Sequence, residues 1–457
     1  MPDAAQIDIQ LGAALDAARL GEAPKAWQLF AQFQHDVAHS RAAAAAFSEL
    51  LSSDPSYPDA LIVAERIVGG FGTDPSVIIP LSAALLRVAE LRPSDEPPFD
   101  KGPAHLAAGA CQRCFEALDG KQRMDAQLGG YLQVNMADGL RMMGPEHDED
   151  ALNAYKVALA IDSTRGAWWF HLGLFYKWRG RFKEGLDANQ KAFARLGPQR
   201  PVLWNLAICA TALGEGKLAL EAWDKLGIRG ELSSAGMPFV PGMPPMQVRV
   251  ATLGEETGQG DPLPQQAVTF EVLWVQPLSP CHGVLQSPTA RRASVDYGDV
   301  VLWDGAPVRL HRVTTAEGHT REVPVFPLLW ILRPGDERRL RLIGMQKQRG
   351  MVQALAGKLS ELVGEGVELV VYDERSSTVA DAQHLFYGKL IVPAAVELKD
   401  VARALDGELR ARPGLTLSVP TLYELLGVSE QAGKAHQAWG GIERLAEKQG
   451  ILSRTKR

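Results

Sequence analysis

Small residues recur at 34-residue steps in the middle of this chain, at Ala151, Gly185 and Ala219. That spacing restricts the fold more than any other feature of the sequence. Two further columns keep the same step: Ala158, Ala192 and Leu226, and Tyr155, Asn189 and Trp223. A period of this length fits one helix–turn–helix unit repeated along a stack. Helices of such a stack pack closely only where the facing side chains leave room, so a fixed column of Ala and Gly marks a recurring helix contact.

The helix before the second of these columns reads "WFHLGLFY", with Trp169, Leu172, Gly173 and Tyr176 in a W-x2-L-G-x2-Y pattern. On these residues and the 34-residue step, the region of about 132–230 resembles the tetratricopeptide repeat family. The resemblance implies pairs of antiparallel helices in a superhelix, with Trp169, Leu172 and Tyr176 as packing residues. It departs at Asn189, where an aromatic is usual. It departs again in "QVNMADGLRMMG", which lacks the Trp and Tyr, and at "PEHDED", which adds two residues before the next helix. Residues 8–130 are Ala- and Leu-rich and read as degenerate repeats of the same superhelix, spaced by 38 rather than 34.

In resembling proteins the inner face of each first helix lines a concave groove that holds a peptide or partner segment. Matched position by position, that face carries Val134, Asp138, Phe170, Leu174, Lys177, Trp204 and Ile208. The family variant that grips a terminal carboxylate has Lys and Asn where this chain has Phe170, Leu174, Trp204 and Ile208. The expected partner is therefore a protein or peptide with an apolar segment.

The helical pattern stops at Gly230, and "AGMPFVPGMPPM" (235–246) excludes a continuing helix. Beyond it apolar residues alternate with period two, as in "QVRVATL", "AVTFEVLWV" and "LLWILRPGDERRLRLIG". Asp304-Gly305 signals a two-residue hairpin and Pro334-Gly335 a second turn. "MVQALAGKLSELVGE" and the C-terminal segments read as helices. The fold class expected is multidomain: an all-α tetratricopeptide-like superhelix followed by an α+β domain. Its parts are a helical domain over 1–235, a Pro/Gly-rich linker with one strand over 236–266, and an α+β domain over 267–457.

The chemistry is sparse. The 54 acidic and 48 basic residues leave a net charge of −6, so the chain is no general attractor of nucleic acid. The first residues lack the basic flank and apolar run of a secretion signal, and the expectation is a cytoplasmic protein. Cys111 and Cys114 lie three apart on a helix without the second pair a zinc site needs. No P-loop, dinucleotide fingerprint or H-E-x-x-H is present, and no catalytic residue, metal or cofactor is assigned. Two other readings stand beside the adaptor. One is a nucleic-acid-binding regulator using the basic strand 338–349 (Arg338, Arg339, Arg341, Lys347, Arg349), the C-terminal helices and "SRTKR". The other is an enzyme using Cys281 and His282, with His311 or His384 as a partner across space.

Overall fold

A computed structural model of the chain describes residues 4–91, 101–253, 269–314, 318, 320–376 and 383–452. The chain forms two compact units, Met1–Pro241 and Gly242–Arg457. The stretch 254–266 and the tail "SRTKR" lie outside the described residues.

The first unit starts with α1 (Ala4–Arg19), α2 (Ala23–Phe30), α3 (Arg41–Ser53), α4 (Ala60–Phe71), α5 (Pro75–Leu91), α6 (Gly102–Ala117) and the one-turn α7 (Gly120–Arg123). Three helix pairs follow: α8 (Tyr131–Met143) with α9 (Asp148–Ile161), α10 (Gly166–Trp178) with α11 (Phe182–Leu196), and α12 (Arg200–Ala212) with α13 (Gly216–Lys225). The second helices begin at 148, 182 and 216, which is the 34-residue step read from the small-residue column. Ala151, Gly185 and Ala219 are all buried. The turn inside the second and third pairs uses Gly180 (φ +68°) and Gly214 (φ +75°), in the left-handed conformation that favours glycine. There the N–H of Arg181 donates to the carbonyl of Tyr176, and that of Glu215 to the carbonyl of Ala210. Both span five residues, as in a Schellman helix end. Upstream, α3 packs on α5, α5 on α6 and α6 on α8. The starts of α3 and α5 are 34 residues apart, not the 38 expected. A two-stranded ribbon, β1 (Glu231–Leu232) and β2 (Pro238–Phe239), follows α13.

Asn189 occupies its column for a steric reason. A Cβ added to Gly173 would stand 2.3 Å from Asn189 Nδ2, so the bare backbone of α10 admits a fully buried amide from α11. Nδ2 donates to the carbonyl of Gly185 at 2.7 Å. Gly173→Ala is expected to destabilise the unit by about 1–3 kcal/mol through overpacking, read as a lowered midpoint in urea unfolding.

In the second unit β3 (Met246–Leu253), β4 (Thr269–Ser279), β5 (His282–Leu285), β6 (Arg292–Ala293), β7 (Val300–Trp303), β8 (Arg309–Thr314) and β9 (Thr320–Arg333) form one sheet in the order β6-β3-β4-β5-β7-β9-β8. A parallel pairing of β3 with β9, Gln247 opposite Val325, closes it on itself as a barrel. Val248, Val250, Val275, Val301 and Trp303 fill the inside. Within 236–266, expected as a linker with one strand, the described residues supply β2 to the first unit and β3 to the barrel wall. The hairpin expected at Asp304-Gly305 does not form, because β7 and β8 do not pair with each other; both pair with β9, in succession along it. Asp304 is instead buried, and its N–H bonds the carbonyl of Pro327.

Pro334-Gly335 likewise joins two different sheets. The second comprises β10 (Arg338–Gln346), β11 (Glu368–Ser376), β12 (His384–Val392) and β13 (Leu415–Ser418), with α14 (Met351–Val363) and α15 (Leu398–Ala411) in the crossovers. Its order, β11-β12-β10-β13, is antiparallel throughout. A βαββαβ chain in that order is the split-βαβ, ferredoxin-like arrangement. One face is covered by α14 and α15 through Leu342, Leu355, Phe386 and Val401. After the short α16 (Pro420–Leu425), α17 (Ser429–Lys448) lays Ile442 and Ala446 on Ile343, Met345 and Leu385 of the other face. Helical repeats are therefore followed by an α+β unit. Among the described residues no helix is long and apolar enough to cross a membrane.

Candidate functional site

The seven residues expected to line the groove divide into two groups. Phe170 and Leu174 of α10 and Trp204 of α12 are half-buried and keep open surface. Val134, Asp138, Lys177 and Ile208 are buried, each at 4% exposure or less. This corrects the expectation that they face a partner, since each is satisfied within the unit. Val134 packs with Ala158 and Trp168. Lys177 Nζ donates to Asn205 Oδ1 at 2.9 Å, under the shelter of α12. Ile208 lies fully inside its helix contacts.

Asp138 anchors a charged cluster spread over four helices. Tyr155 of α9 donates its hydroxyl to Asp138 Oδ1 at 2.5 Å. Nδ1 of His171, on α10, lies 2.7 Å from Asp138 Oδ2. Arg141, one turn along α8 and 9% exposed, places Nε 3.5 Å from Asp138 Oδ1 and Nη2 3.6 Å from Glu90 of α5. Burial alone would raise the Asp138 carboxyl. The opposing charge and hydrogen bond of His171, with Arg141 and Tyr155, outweigh it and hold the group at about 2. Burial likewise pulls the His171 imidazole down, but Asp138 reverses this and raises it above its ordinary value. His171 is still one-third exposed, beside Phe170, whose ring meets its imidazole edge-on at 5.8 Å. Phe170 and Leu174, one turn apart on α10, thus keep open apolar surface beside one imidazole that is backed by a buried carboxylate, and Trp204 keeps open surface on α12.

The aromatic stripe resolves differently from its pattern. Leu172 is buried as expected, whereas Trp169 and Tyr176 are only half-buried. The deeply buried indole belongs to Trp168, at 2% exposure. It packs edge-on to Tyr131 and lies so near Gly130 that a Cβ there would meet its ring at 2.3 Å. Trp169 Nε1 donates to the carbonyl of Ser163, and Lys191 and Arg195 lie over its ring.

The residues of the other two readings are largely engaged inside the second unit. Arg338 donates to the carbonyls of Pro393 and Val396, while Arg339, on the opposite strand face, bonds Asp299 and the carbonyl of Tyr297. No single basic face results, because neighbours in a strand point to opposite sides; Lys347 and Arg349 lie past the strand end. Cys281 and His282 are buried at 0% and 1% exposure. Ser279 Oγ sits 2.6 Å from His282 Nδ1 and 3.7 Å from Cys281 Sγ. Burial pushes the His282 imidazole down to about 4, so it is neutral at pH 7. His311 bonds Gln247 and His384 bonds Ser376. Burial also pushes the Cys111 thiol up to about 12 and that of Cys114 to about 11. In the native protein Cys281 is expected to react with iodoacetamide no faster than the other three cysteines at neutral pH. Mass-mapped labelling checks this, and selective fast modification of Cys281 would contradict it.

No family model matches the chain, and no curated protein matches it either. Among solved structures it is similar to MamA, at 11% identity and a TM-score of 0.29 over 39% of this chain and 91% of that one. It is also similar to YrrB, described as a TPR protein with an unusual peptide-binding site, at 15% identity and a TM-score of 0.28 over 43% of this chain and 89% of that one. At scores this low the likeness decides neither fold nor function. The helix pairs and their 34-residue step stand on their own.

Proposed function

We propose that the protein is a cytoplasmic adaptor whose helical repeats hold an apolar segment of another protein against Phe170, Leu174 and Trp204. The observation that supports this most is positional. Phe170 and Trp204 stand 34 residues apart, at equivalent places in consecutive first helices, and both keep open apolar surface beside buried neighbours. Large aromatics in such settings are the usual energetic centres of protein interfaces. On this reading His171 borders the contact and contributes polarity, and residues 242–457 form the part that is presented or regulated.

Capture of binding partners by the full chain, with Phe170→Ala and Trp204→Ala alongside, tests the proposal. Each substitution is expected to weaken the principal partner by about 1–3 kcal/mol in a subsequent calorimetric titration. Phe170→Ala is expected to leave thermal stability nearly unchanged. Trp204→Ala should cost somewhat more, because its ring packs edge-on against the buried Trp223 at 4.7 Å. Retention of full affinity by both variants would remove the proposal's basis.

A further inference from the structure

The outward face of α10 is apolar except at one ring. Ala167, Phe170, Leu174 and Trp178 succeed one another at steps of three or four residues, and none of them is buried. His171 stands three residues before Leu174, within the same arc of about 100° round the helix. Its two nitrogens have different surroundings. Nδ1 is buried, 2.7 Å from Asp138 Oδ2, and a ring nitrogen turned to a carboxylate is the one that carries the proton. Nε2 has no hydrogen-bond partner among the described residues, and the exposed third of the ring lies on its side.

The charges around the ring come from several helices. α8 brings Asp138 and Arg141 against it, α5 brings Glu90, and the Tyr155 hydroxyl of α9 acts through Asp138. α11 keeps Lys191 and Arg195 over Trp169, about 200° round α10 from His171. α12 brings the neutral amide of Asn205, which is bonded to Lys177. Arg141 and the protonated His171 therefore already face carboxylates within 3.6 Å, and neither calls for an anion from a partner. What the protonated ring still offers is one N–H, at Nε2, among apolar side chains. A protein that covers Phe170 and Leu174 takes water from that N–H, and a buried donor left without an acceptor is costly. A helical segment spends its carbonyls on its own backbone, whereas an extended one has carbonyls to give.

We infer that His171 is a specificity-determining residue of this surface, donating through Nε2 to a main-chain carbonyl of an extended apolar segment, so that binding depends on pH. The assignment rests on the adaptor reading. The neutral ring keeps its proton at Nδ1 and turns a lone pair to that carbonyl, so only the protonated ring grips. Affinity is complete below the His171 midpoint and is lost as the pH rises through it. Asp138 raises that midpoint above the ordinary histidine value.

Linear peptides selected on the full chain from a phage-displayed random library, and not bound by the Phe170→Ala, Leu174→Ala double variant, are the probes. Fluorescence anisotropy gives their affinities at a series of pH values spanning the His171 midpoint. Histidine-ring NMR reads that midpoint on the same protein, with the signal assigned through His171→Gln. Affinity for the wild type is expected to fall about tenfold as the pH rises through the midpoint, the worth of one hydrogen bond to a charged group. Bound peptide is expected to raise the midpoint. His171→Gln, whose amide donates at every pH, is expected to bind with no such slope. Replacing single peptide amides by esters, whose carbonyls accept more weakly, is expected to weaken binding at one position. The NMR midpoint of the wild type keeps the test open if His171→Gln folds poorly. Affinity that is constant or rises with pH, a midpoint that peptide leaves in place, or the same slope in His171→Gln would overturn the assignment and leave the adaptor reading standing. A slope that vanishes when the peptide's Asp and Glu are changed to Asn and Gln would make the acceptor a carboxylate and overturn it too. A library that yields no peptide dependent on Phe170 and Leu174 would remove the adaptor reading and the assignment together.

Discussion

Trp168→Ala is expected to lower the stability of the helical unit by about 3–5 kcal/mol, the usual cost of deleting a large buried aromatic. The indole is 2% exposed and packs with Val134 and Ala158 across two helices. Its ring also abuts Gly130, so the neighbouring backbone is shaped around it and a cavity would remain after truncation. Trp169→Ala is expected to cost only about 1–2 kcal/mol, from one hydrogen bond and two cation–π contacts at a half-buried ring. The two residues are adjacent, and a step of one residue turns the side chain by about 100° on a helix. Parallel chemical denaturation of the two variants reads the contrast. Equal losses would mean that α10 is rotated from the orientation described.

That contrast marks how far the sequence could be read. The 34-residue columns placed α9, α11 and α13 correctly, because a helix contact that needs small residues leaves a fixed signature at Ala151, Gly185 and Ala219. The same columns exposed Asn189 as a departure, and only the steric fit to Gly173 explains it. The groove face was less legible. Matching positions to a family assigns a direction to Val134, Lys177 and Ile208, but what fills the space in front of them depends on Trp168, Asn205 and the adjoining helices of this particular chain. The charged cluster escaped for a related reason. Asp138 and Arg141 show an ordinary i, i+3 spacing, while their meeting with Tyr155, His171 and Glu90 exists only across helices. In the second unit the alternating strands were readable, but local turn signals at Asp304-Gly305 and Pro334-Gly335 lost to long-range pairing. The barrel closure through β3 and β9 is a property of register, which no local pattern carries.

Asp138→Asn is expected to cost a comparable amount, roughly 3–5 kcal/mol, the range for breaking a buried ion pair by removing one partner. The loss comes chiefly from Arg141, which is 9% exposed and would keep, beside the Tyr155 hydroxyl, only the more distant, half-exposed Glu90 as an acidic partner. His171 contributes less, because its exposed third is screened by solvent. The effect also depends on pH. The folded-state pKa of His171 is raised, so its contribution is complete below its unfolded value of about 6.5 and disappears as the pH rises through the folded value. The folded-state pKa of Asp138 is depressed, so its contribution is complete above about 3.9 and disappears as the pH falls through about 2. The difference between wild type and Asp138→Asn should therefore be largest between about pH 4 and 6.5 and should shrink above that window. Urea unfolding at a series of pH values checks it. A difference that grows above pH 7 would contradict the assigned pairing.

The central claim is that Phe170, Leu174 and Trp204 form the surface that another protein covers. Photo-cross-linking in cells tests it most directly, with a photoreactive amino acid placed singly at Leu174, at Trp204 and, as a control, at Val157, which is 39% exposed on α9. The account predicts that positions 174 and 204 join the same separate polypeptide and that position 157 does not. Cross-links from 174 and 204 only to residues 242–457 of the same chain, or equal yields from all three positions, would contradict it.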